Sequence, residues 1–187
     1  MKEDIEKSLA VLKQGKTILY PTDTLWGIGC DATNKAAVKK IFKIKKRVKK
    51  KSMIILLDDP MKIPQYVDNP PDIAWDLLEK FDRPTTVIYP KAINIAKHLA
   101  ADDGSIAIRI VKHPFCNKLL ETLDRPIVSS SANISGEKTP ILFSEISLEI
   151  KEKVDYIVQY QQEKIEQLKA STLIRINKDG SYDILRD

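Results

Sequence analysis

Apolar residues recur along the whole chain in short runs that alternate with stretches of helical periodicity. Helical spacing of the apolar positions predicts helices at about 5–13, 34–44, 73–81, 115–123 and 143–154. Compact or alternating apolar runs predict strands at 17–20, 52–57, 85–89, 105–110, 127–128, 156–158, 171–176 and 182–185. This alternation predicts an α/β fold for residues 1–187, a single domain with a twisted mixed β-sheet and flanking helices.

Two of the predicted strands end in clusters of small polar side chains. The first polar segment, Thr22–Thr24, follows the first strand, and Gly27 and Gly29 beyond it allow backbone conformations that other residues avoid. The second polar segment, Ser129–Gly136, follows a later strand in the same way. Ligands of open α/β sheets gather where strands end, so the two segments predict a binding site. Alone, the first segment is more simply a turn that leads to a helix capped by Asn34.

The composition excludes several classes of protein. With 187 residues, of which 43% are hydrophobic and 30% charged, the chain can build one full-sized core. No apolar run is long enough to span a bilayer and the charged N-terminus lacks an export signal, so a cytoplasmic protein is expected. Cys30 and Cys116 lack metal-ligand or redox spacing, and His98 and His113 are too few for a histidine-rich centre. No protein metal site is therefore expected.

The net charge of +5 is concentrated in one short segment of the chain. The basic residues of this segment are Lys39, Lys40, Lys43, Lys45, Lys46, Arg47, Lys49, Lys50 and Lys51. Like charges at this density usually form a solvated helix face. They also attract phosphates, whether on a nucleotide or on RNA, and composition does not choose between these interpretations.

The candidate chemistry is group transfer by positioning and charge stabilisation. Arg109 stands inside an otherwise apolar strand, which favours a ligand contact over a snorkelling edge residue. The sequence contains no G-x-x-x-x-G-K-[ST] motif, so a P-loop is excluded. No nucleophile–base pair or acid–base pair of carboxylates stands out. An enzyme of this kind would work as phosphoryl and nucleotidyl transfer enzymes do, by orienting substrates and neutralising phosphates.

Five segments, in register, resemble the YrdC/Sua5 family over about residues 15–186. They are YPTDTLWGIGCDA (20–32), IKKR (44–47), SIAIRI (105–110), SSSANISG (129–136) and STLI (171–174). The resemblance is to the short, single-domain form and implies the YrdC-like fold. It implies an ATP-dependent synthase that makes threonylcarbamoyl-AMP and pyrophosphate from L-threonine, bicarbonate and ATP, with Mg²⁺ arriving on ATP. The product feeds the modification of adenosine 37 in tRNA, which implies tRNA or double-stranded RNA and downstream tRNA-modifying proteins as partners.

The resemblance also assigns site residues by matching motif positions. It implies catalytic roles for Lys45, Arg47, Ser131 and Asn133. It implies ATP contacts from Lys45, Arg47, Ser105, Ser131, Thr139 and Arg186. It implies threonine contacts from Thr22, Arg109 and Ser129, with Arg109 on the threonine carboxylate. Asp23 is interpreted as part of the local turn in preference to a Mg²⁺ ligand.

The sequence departs from the family pattern at several positions, which keeps two alternatives open. Val48 replaces a common proline, Leu56 occupies a region where some members place a histidine, and only the last Pro and Thr of a Pro-Gly-Pro-x-Thr motif survive at 82–86. One alternative is a binding module that holds double-stranded RNA or tRNA without catalysis. The other is a paralogue that has lost synthase activity, against which both intact motifs, Lys-x-Arg and Ser-x-Asn, argue. The polar stretch 159–169 is predicted to be an exposed excursion and a candidate lid.

Overall fold

The computed structural model describes residues 1–47, 53–164, 170–177 and 179–187. The α-helices in these ranges are α1 (Lys2–Lys13), α2 (Lys35–Ile44), α3 (Ile73–Lys80), α4 (Pro114–Leu123) and α5 (Leu148–Lys153). The strands are β1 (Ile18–Tyr20), β2 (Gly27–Gly29), β3 (Ile54–Leu57), β4 (Thr85–Tyr89), β5 (Ile106–Ile110), β6 (Ile127–Ser131), β7 (Tyr156–Ile157), β8 (Thr172–Ile176) and β9 (Tyr182–Arg186). Most predicted elements are confirmed to within a few residues, and Ser52, the predicted start of β3, lies outside the described ranges.

The described strands form one mixed sheet in the order β7-β1-β2-β6-β3-β5-β4-β8-β9. The pairs β1–β7, β3–β5 and β4–β8 are parallel, and the remaining neighbours are antiparallel. This confirms the predicted mixed sheet with flanking helices. Because β2, β6, β3 and β5 are neighbours at the centre, segments far apart in sequence meet on one face.

The pleat of the central strands separates the core from the opposite face. Val128, Ile55, Ile108 and Val87 lie in one row across β6, β3, β5 and β4, and all are buried in the hydrophobic core. Successive side chains of a strand point to opposite faces. The next row, Ser129, Ile54, Ala107 and Ile88, therefore lies on the other face of the sheet.

Helix α2 begins as predicted, at an asparagine cap. The Asn34 side-chain oxygen accepts hydrogen bonds from the backbone N–H groups of Ala36 and Ala37, both at 3.0 Å. Val38 and Ile41 on its apolar face are fully buried. The helix is thereby held at its start and along one side, which sets the position of the basic residues at its C-terminal end.

Replacing Asn34 with alanine is expected to lower the free energy of unfolding by about 1 kcal/mol, because two N–H groups lose their acceptor. Urea unfolding followed by circular dichroism measures this change. Asn34→Asp is the matched control, since it keeps an acceptor oxygen at the cap. Equal stability of Asn34→Ala and the unsubstituted protein would contradict this role of the cap.

Gly29 is needed for space, and the predicted role of Gly27 and Gly29 in unusual backbone conformations is wrong. Both lie in β2, with extended neighbours on either side. A Cβ atom at Gly29 would come within 2.5 Å of the Val128 carbonyl oxygen and 2.6 Å of Tyr20 Cε1. Glycine here lets β2 pack closely against its neighbours.

The predicted helix at 143–154 is interrupted. A short 3₁₀ turn at Phe143–Glu145 precedes Ile146, whose backbone is extended, and α5 begins only at Leu148. The Glu145 carboxylate accepts from the N–H groups of Ile141 and Leu142 at 2.8 and 3.1 Å, which stabilises the turn as a separate unit. The apolar spacing persists across the break because Ile146 and Ile150 both reach the core.

The described part of the polar excursion, 159–164, packs partly against α4. The Tyr160 ring lies 6.3 Å from the Phe115 ring, and Gln161 Oε1 is 2.9 Å from His113 Nε2. The predicted exposed excursion is confirmed for Gln159, Glu163 and Lys164, whereas residues 160–162 are half-buried. Residues 165–169 lie outside the described ranges, and the candidate lid stays a prediction.

Candidate active site

A cavity of about 340 Å³ opens on the sheet face that carries Ser129 and Ala107. Both polar segments contribute to its wall, and apolar residues of β3, β4 and β8 contribute to its floor. Its lining consists of Thr24, Leu25, Trp26, Gly27, Arg47, Met53, Ile54, Ile88, Ala107, Arg109, Ser129, Ser130, Ser131, Thr139, Ala170, Ser171, Leu173 and Arg186. Three arginines therefore face one partly apolar cavity, an arrangement suited to an anionic ligand.

Arg109 lies under the first polar segment and is only 4% exposed. Nη1 donates to Thr24 Oγ1 at 3.1 Å and Nη2 donates to Thr22 Oγ1 at 3.4 Å. Nη2 also lies 3.1 Å from Asp23 Oδ1 in a buried ion pair. Asp23 thus does more than shape a turn, since its second oxygen accepts from the Lys112 N–H at 3.2 Å. The guanidinium is held in one orientation at the cavity wall.

Arg47 reaches the cavity from the C-terminal end of α2. Lys46, the residue before it, has a positive φ of 48°, so the chain turns sharply where the helix ends. Arg47 Nη1 donates to Ser130 Oγ at 3.4 Å, which places the arginine beside the second polar segment. Burial lowers the pKa of Arg47, although an arginine stays charged at neutral pH.

Lys45 lies behind the second polar segment and is 2% exposed. Its Nζ donates to the backbone oxygen of Ser131 and, at 2.7 Å, to that of Asn133. Burial, and after it the charge of Arg47, lowers the pKa of Lys45 to about 7. The basic run is therefore not uniform, because Lys39 is exposed on the same helix.

Arg186 enters the cavity from the edge strand β9. Its Nε and Nη2 donate to the Ser171 carbonyl oxygen at 3.0 and 2.8 Å. Burial, and after it the charge of Arg109, lowers the pKa of Arg186. The Ser171 hydroxyl is itself 2.8 Å from Thr86 Oγ1, so the arginine is attached to the sheet through β8 and β4.

The structure brings most of the predicted site residues together. Those that line the cavity are Arg47, Arg109, Ser129, Ser131, Thr139 and Arg186. Thr22, Lys45 and Asn133 lie behind the wall: Thr22 contacts Arg109, and the Asn133 side-chain amide donates to the carbonyl oxygens of Ile134 and Glu137. Ser105 belongs to a separate turn, where its hydroxyl donates to Asp103 Oδ1 at 2.6 Å.

Several cavity residues were assigned no individual role from the sequence. Ser130, Ser171 and Thr24 add hydroxyl groups, and Ile88 and Leu173 add apolar floor. Ser130 and Thr24 lie inside the polar segments and Ser171 opens one of the five family-like motifs, so a signal for these three was available. Ile88 had no such signal, and Leu173, although it belongs to the same motif as Ser171, has no polar group to distinguish it. Strand register decides which apolar side chains face the cavity.

Other features of the described chain concern metals, thiols and membranes. Residues 1–47, 53–164, 170–177 and 179–187 contain no group of three or more His, Cys, Asp or Glu placed to hold a metal ion. Cys30 and Cys116 are buried, and this burial raises the pKa of both thiols. None of the helices in these ranges is long and apolar enough to cross a membrane.

Solved structures share this architecture over nearly the whole chain. P. abyssi Sua5 complexed with L-threonine superposes with a TM-score of 0.82 at 28% identity, over 91% of this chain and 50% of that one. A doubly substituted P. abyssi Sua5 gives a TM-score of 0.85 at 26% identity, over 97% and 55%. The chain spans about half the length of these Sua5 chains. E. coli YciO, at 24% identity and a TM-score of 0.84, supports the fold alone.

Sequence relatives agree with the structural ones. The threonylcarbamoyl-AMP synthase of Pseudoalteromonas translucida (strain TAC 125) is 34% identical over 157 residues, which are 82% of this chain and 84% of that protein. The putative threonylcarbamoyl-AMP synthase of Methanocaldococcus jannaschii is 36% identical over 187 residues, 97% and 86% of the two chains. The Sua5/YciO/YrdC family, described as telomere recombination, matches residues 10–187. The chain belongs to the Sua5/YciO/YrdC family.

Proposed function

We propose that the protein is an L-threonylcarbamoyladenylate synthase, a nucleotidyltransferase that forms threonylcarbamoyl-AMP and pyrophosphate from L-threonine, bicarbonate and ATP. The observation that carries the proposal is the cavity itself, in which Arg47, Arg109 and Arg186 face a wall of hydroxyl groups. A reaction between a carboxylate and a triphosphate needs several fixed positive charges in one place. The names of the two sequence relatives and the threonine complex of P. abyssi Sua5 support the same conclusion.

Threonine would bind at the first polar segment. Arg109 presents a guanidinium whose Nη atoms are already oriented by Thr22, Asp23 and Thr24. Such a group binds a carboxylate through charge-assisted hydrogen bonds. Ser129, across the cavity on β6, would add a hydroxyl contact to the amino acid.

ATP would bind along the second polar segment. Arg47 and Arg186 would neutralise its phosphates, with hydroxyl contacts from Ser131 and Thr139. Asn133 would act from behind the wall, and Ser105 would reach the nucleotide only after its hydroxyl leaves Asp103. Lys45 would act from behind the wall, through its hydrogen bonds to the Ser131 and Asn133 carbonyl groups.

The reaction would proceed in two steps. The threonine amine adds to bicarbonate and, with loss of water, forms the N-carboxy adduct. A carboxylate oxygen of this adduct then forms a bond to the α-phosphorus of ATP, while the bond from that phosphorus to the bridging oxygen breaks and pyrophosphate leaves. The arginines would stabilise the charge that develops on the phosphate oxygens in the second step.

Mg²⁺ would accompany ATP through its phosphate oxygens and lower their charge. We infer a cytoplasmic enzyme, since its product would be consumed by downstream tRNA-modifying proteins. Direct contact with tRNA would involve a second, basic groove at the C-terminal end of α2, which is lined by Lys39, Phe42, Lys43, Lys46, Arg47 and His98. Lys49, Lys50 and Lys51 of the same basic run lie outside the described residues.

The proposal is tested by pyrophosphate release from ATP with threonine and bicarbonate together, and with each left out in turn. We expect release only when both are present, because the attacking carboxylate is made from them. No release by a folded protein that binds RNA in a salt-dependent way would favour the RNA-binding module instead. Arg83→Gln, which changes an exposed arginine paired with Asp187, is the matched control and should keep full activity.

A further inference from the structure

Lys45 is buried, and its bonding partners are backbone atoms of the second polar segment. The side chain donates to two carbonyl oxygens, those of Ser131 and Asn133. In the opposite direction, the Ser135 N–H donates to the Lys45 carbonyl oxygen at 2.9 Å. Three hydrogen bonds thus connect Lys45 to the five residues 131–135.

The same residue also ends the helix that delivers Arg47. The Lys45 N–H donates to the Ile41 oxygen at 3.0 Å, and the Arg47 N–H donates to the Phe42 oxygen at 3.0 Å. Two residues after Lys45, the Arg47 side chain meets Ser130. The end of α2 and the second polar segment are therefore joined both inside the wall, through Lys45, and at its surface, through Arg47.

We propose that Lys45 is a positioning residue, which fixes the backbone of residues 131–135 against the end of α2 before any nucleotide arrives. This inference rests on the proposed function, since it assigns to Lys45 the task of holding the wall on which ATP would bind. The lysine acts through Ser131 and Arg47, whose side chains face the cavity. Lys45 is 2% exposed and has two of its N–H groups bonded to carbonyl oxygens, so direct contact with a phosphate would require its side chain or the surrounding wall to move.

Burial supports this assignment on chemical grounds. A buried amino group needs hydrogen-bond partners, and the two carbonyl oxygens satisfy two of its N–H groups. The low pKa of Lys45 is consistent with a group held away from water. Removing the amino group would leave two carbonyl oxygens without their donor. The variant would therefore lose local stability in this segment as well as a charge near the cavity.

Hydrogen exchange in the absence of nucleotide tests the proposal, because a role confined to phosphate contact would leave that exchange unchanged. In Lys45→Met we expect the amides of residues 131–136 to exchange about tenfold faster or more than in the unsubstituted protein. Lys45→Gln, which keeps one donor group, should show a smaller increase. Lys43→Met, on an exposed position of the same helix, is the control and should not change exchange in this segment. Unchanged exchange in Lys45→Met, together with a raised Kd for ATP in a calorimetric titration, would overturn the proposal.

A second measurement needs no substitution and covers the case in which the variants fail to fold. Acetylation of the unsubstituted protein with acetic anhydride, followed by mass spectrometry, reports how accessible each amine is. We expect Lys45 to react at least about tenfold more slowly than Lys43, with or without ATP, because reaction requires local opening. Rapid acetylation of Lys45 that ATP suppresses would overturn the proposal. Neither measurement depends on turnover, so failure of the synthase assay and failure of this inference are distinguishable.

Discussion

Replacing Arg109 with glutamine is expected to lower threonine-dependent pyrophosphate release by at least about 100-fold, which corresponds to about 2.7 kcal/mol. The substitution removes a positive charge that lines the cavity beside the first polar segment. Its guanidinium is fixed by Thr24 at 3.1 Å and Asp23 at 3.1 Å, so little reorganisation accompanies carboxylate binding. Steady-state kinetics with varied threonine measure the change, which should include a raised KM for threonine.

Arg109→Gln affects both substrate binding and the stability of the fold, and a second variant separates the two effects. Arg109→Gln leaves the Asp23 carboxylate buried without its ion-pair partner, which costs about 3–5 kcal/mol. The double variant Arg109→Gln with Asp23→Asn removes both charges and should recover much of the stability without recovering activity. If the double variant were active at the normal rate, Arg109 would have no part in substrate binding.

Replacing Gly29 with alanine is expected to reduce the free energy of unfolding by more than about 3 kcal/mol, or to prevent folding. The new Cβ atom would lie 2.5 Å from the Val128 carbonyl oxygen, 2.6 Å from Tyr20 Cε1 and 2.9 Å from Ile127 Cγ2. The Val128 backbone cannot move away easily, because β6 is paired with β2 on one side and β3 on the other. Urea unfolding followed by circular dichroism measures the loss.

Gly27→Ala is the matched control for this prediction. Its nearest neighbour would be Ser129 Oγ at 3.3 Å, the end of a side chain that can rotate. We expect a loss of stability below about 1 kcal/mol and a fold that stays intact. A Gly29→Ala protein as stable as Gly27→Ala would show that β2 and β6 are less tightly packed than the distances indicate.

The polar segments show how much of the site could be predicted from the sequence. Thr22–Thr24 and Ser129–Gly136 were identified because hydroxyl groups after an apolar strand form a local pattern. Arg109 was identified because a charge inside an apolar strand needs a partner. Its ion pair with Asp23 was not foreseen, since Asp23 lies in the loop between β1 and β2, Arg109 lies on β5, and sequence distance says nothing about such contacts.

Lys45 shows what could not be predicted from the sequence alone. In the sequence it is one basic residue in a dense run, and a motif resemblance was needed to single it out. Only packing shows that its side chain is buried against Ser131 and Asn133 while Lys39 and Lys43 stay exposed. The rotation of a helix about its axis is set by its apolar face, and the exact residue at which it ends is set by contacts outside it.

The sequence by itself determined the alternation of helices and strands, the mixed sheet and the two polar segments, because these follow from periodicities and turn residues within a few positions of one another. The five family-like segments determined the family. Tertiary structure alone decided the strand order, the break before α5, the steric need for Gly29 and the meeting of Arg47, Arg109 and Arg186 around one cavity. These features depend on contacts between residues that are distant in sequence. Strand register and packing decide the energies of such contacts, and the contacts leave no local pattern in the sequence.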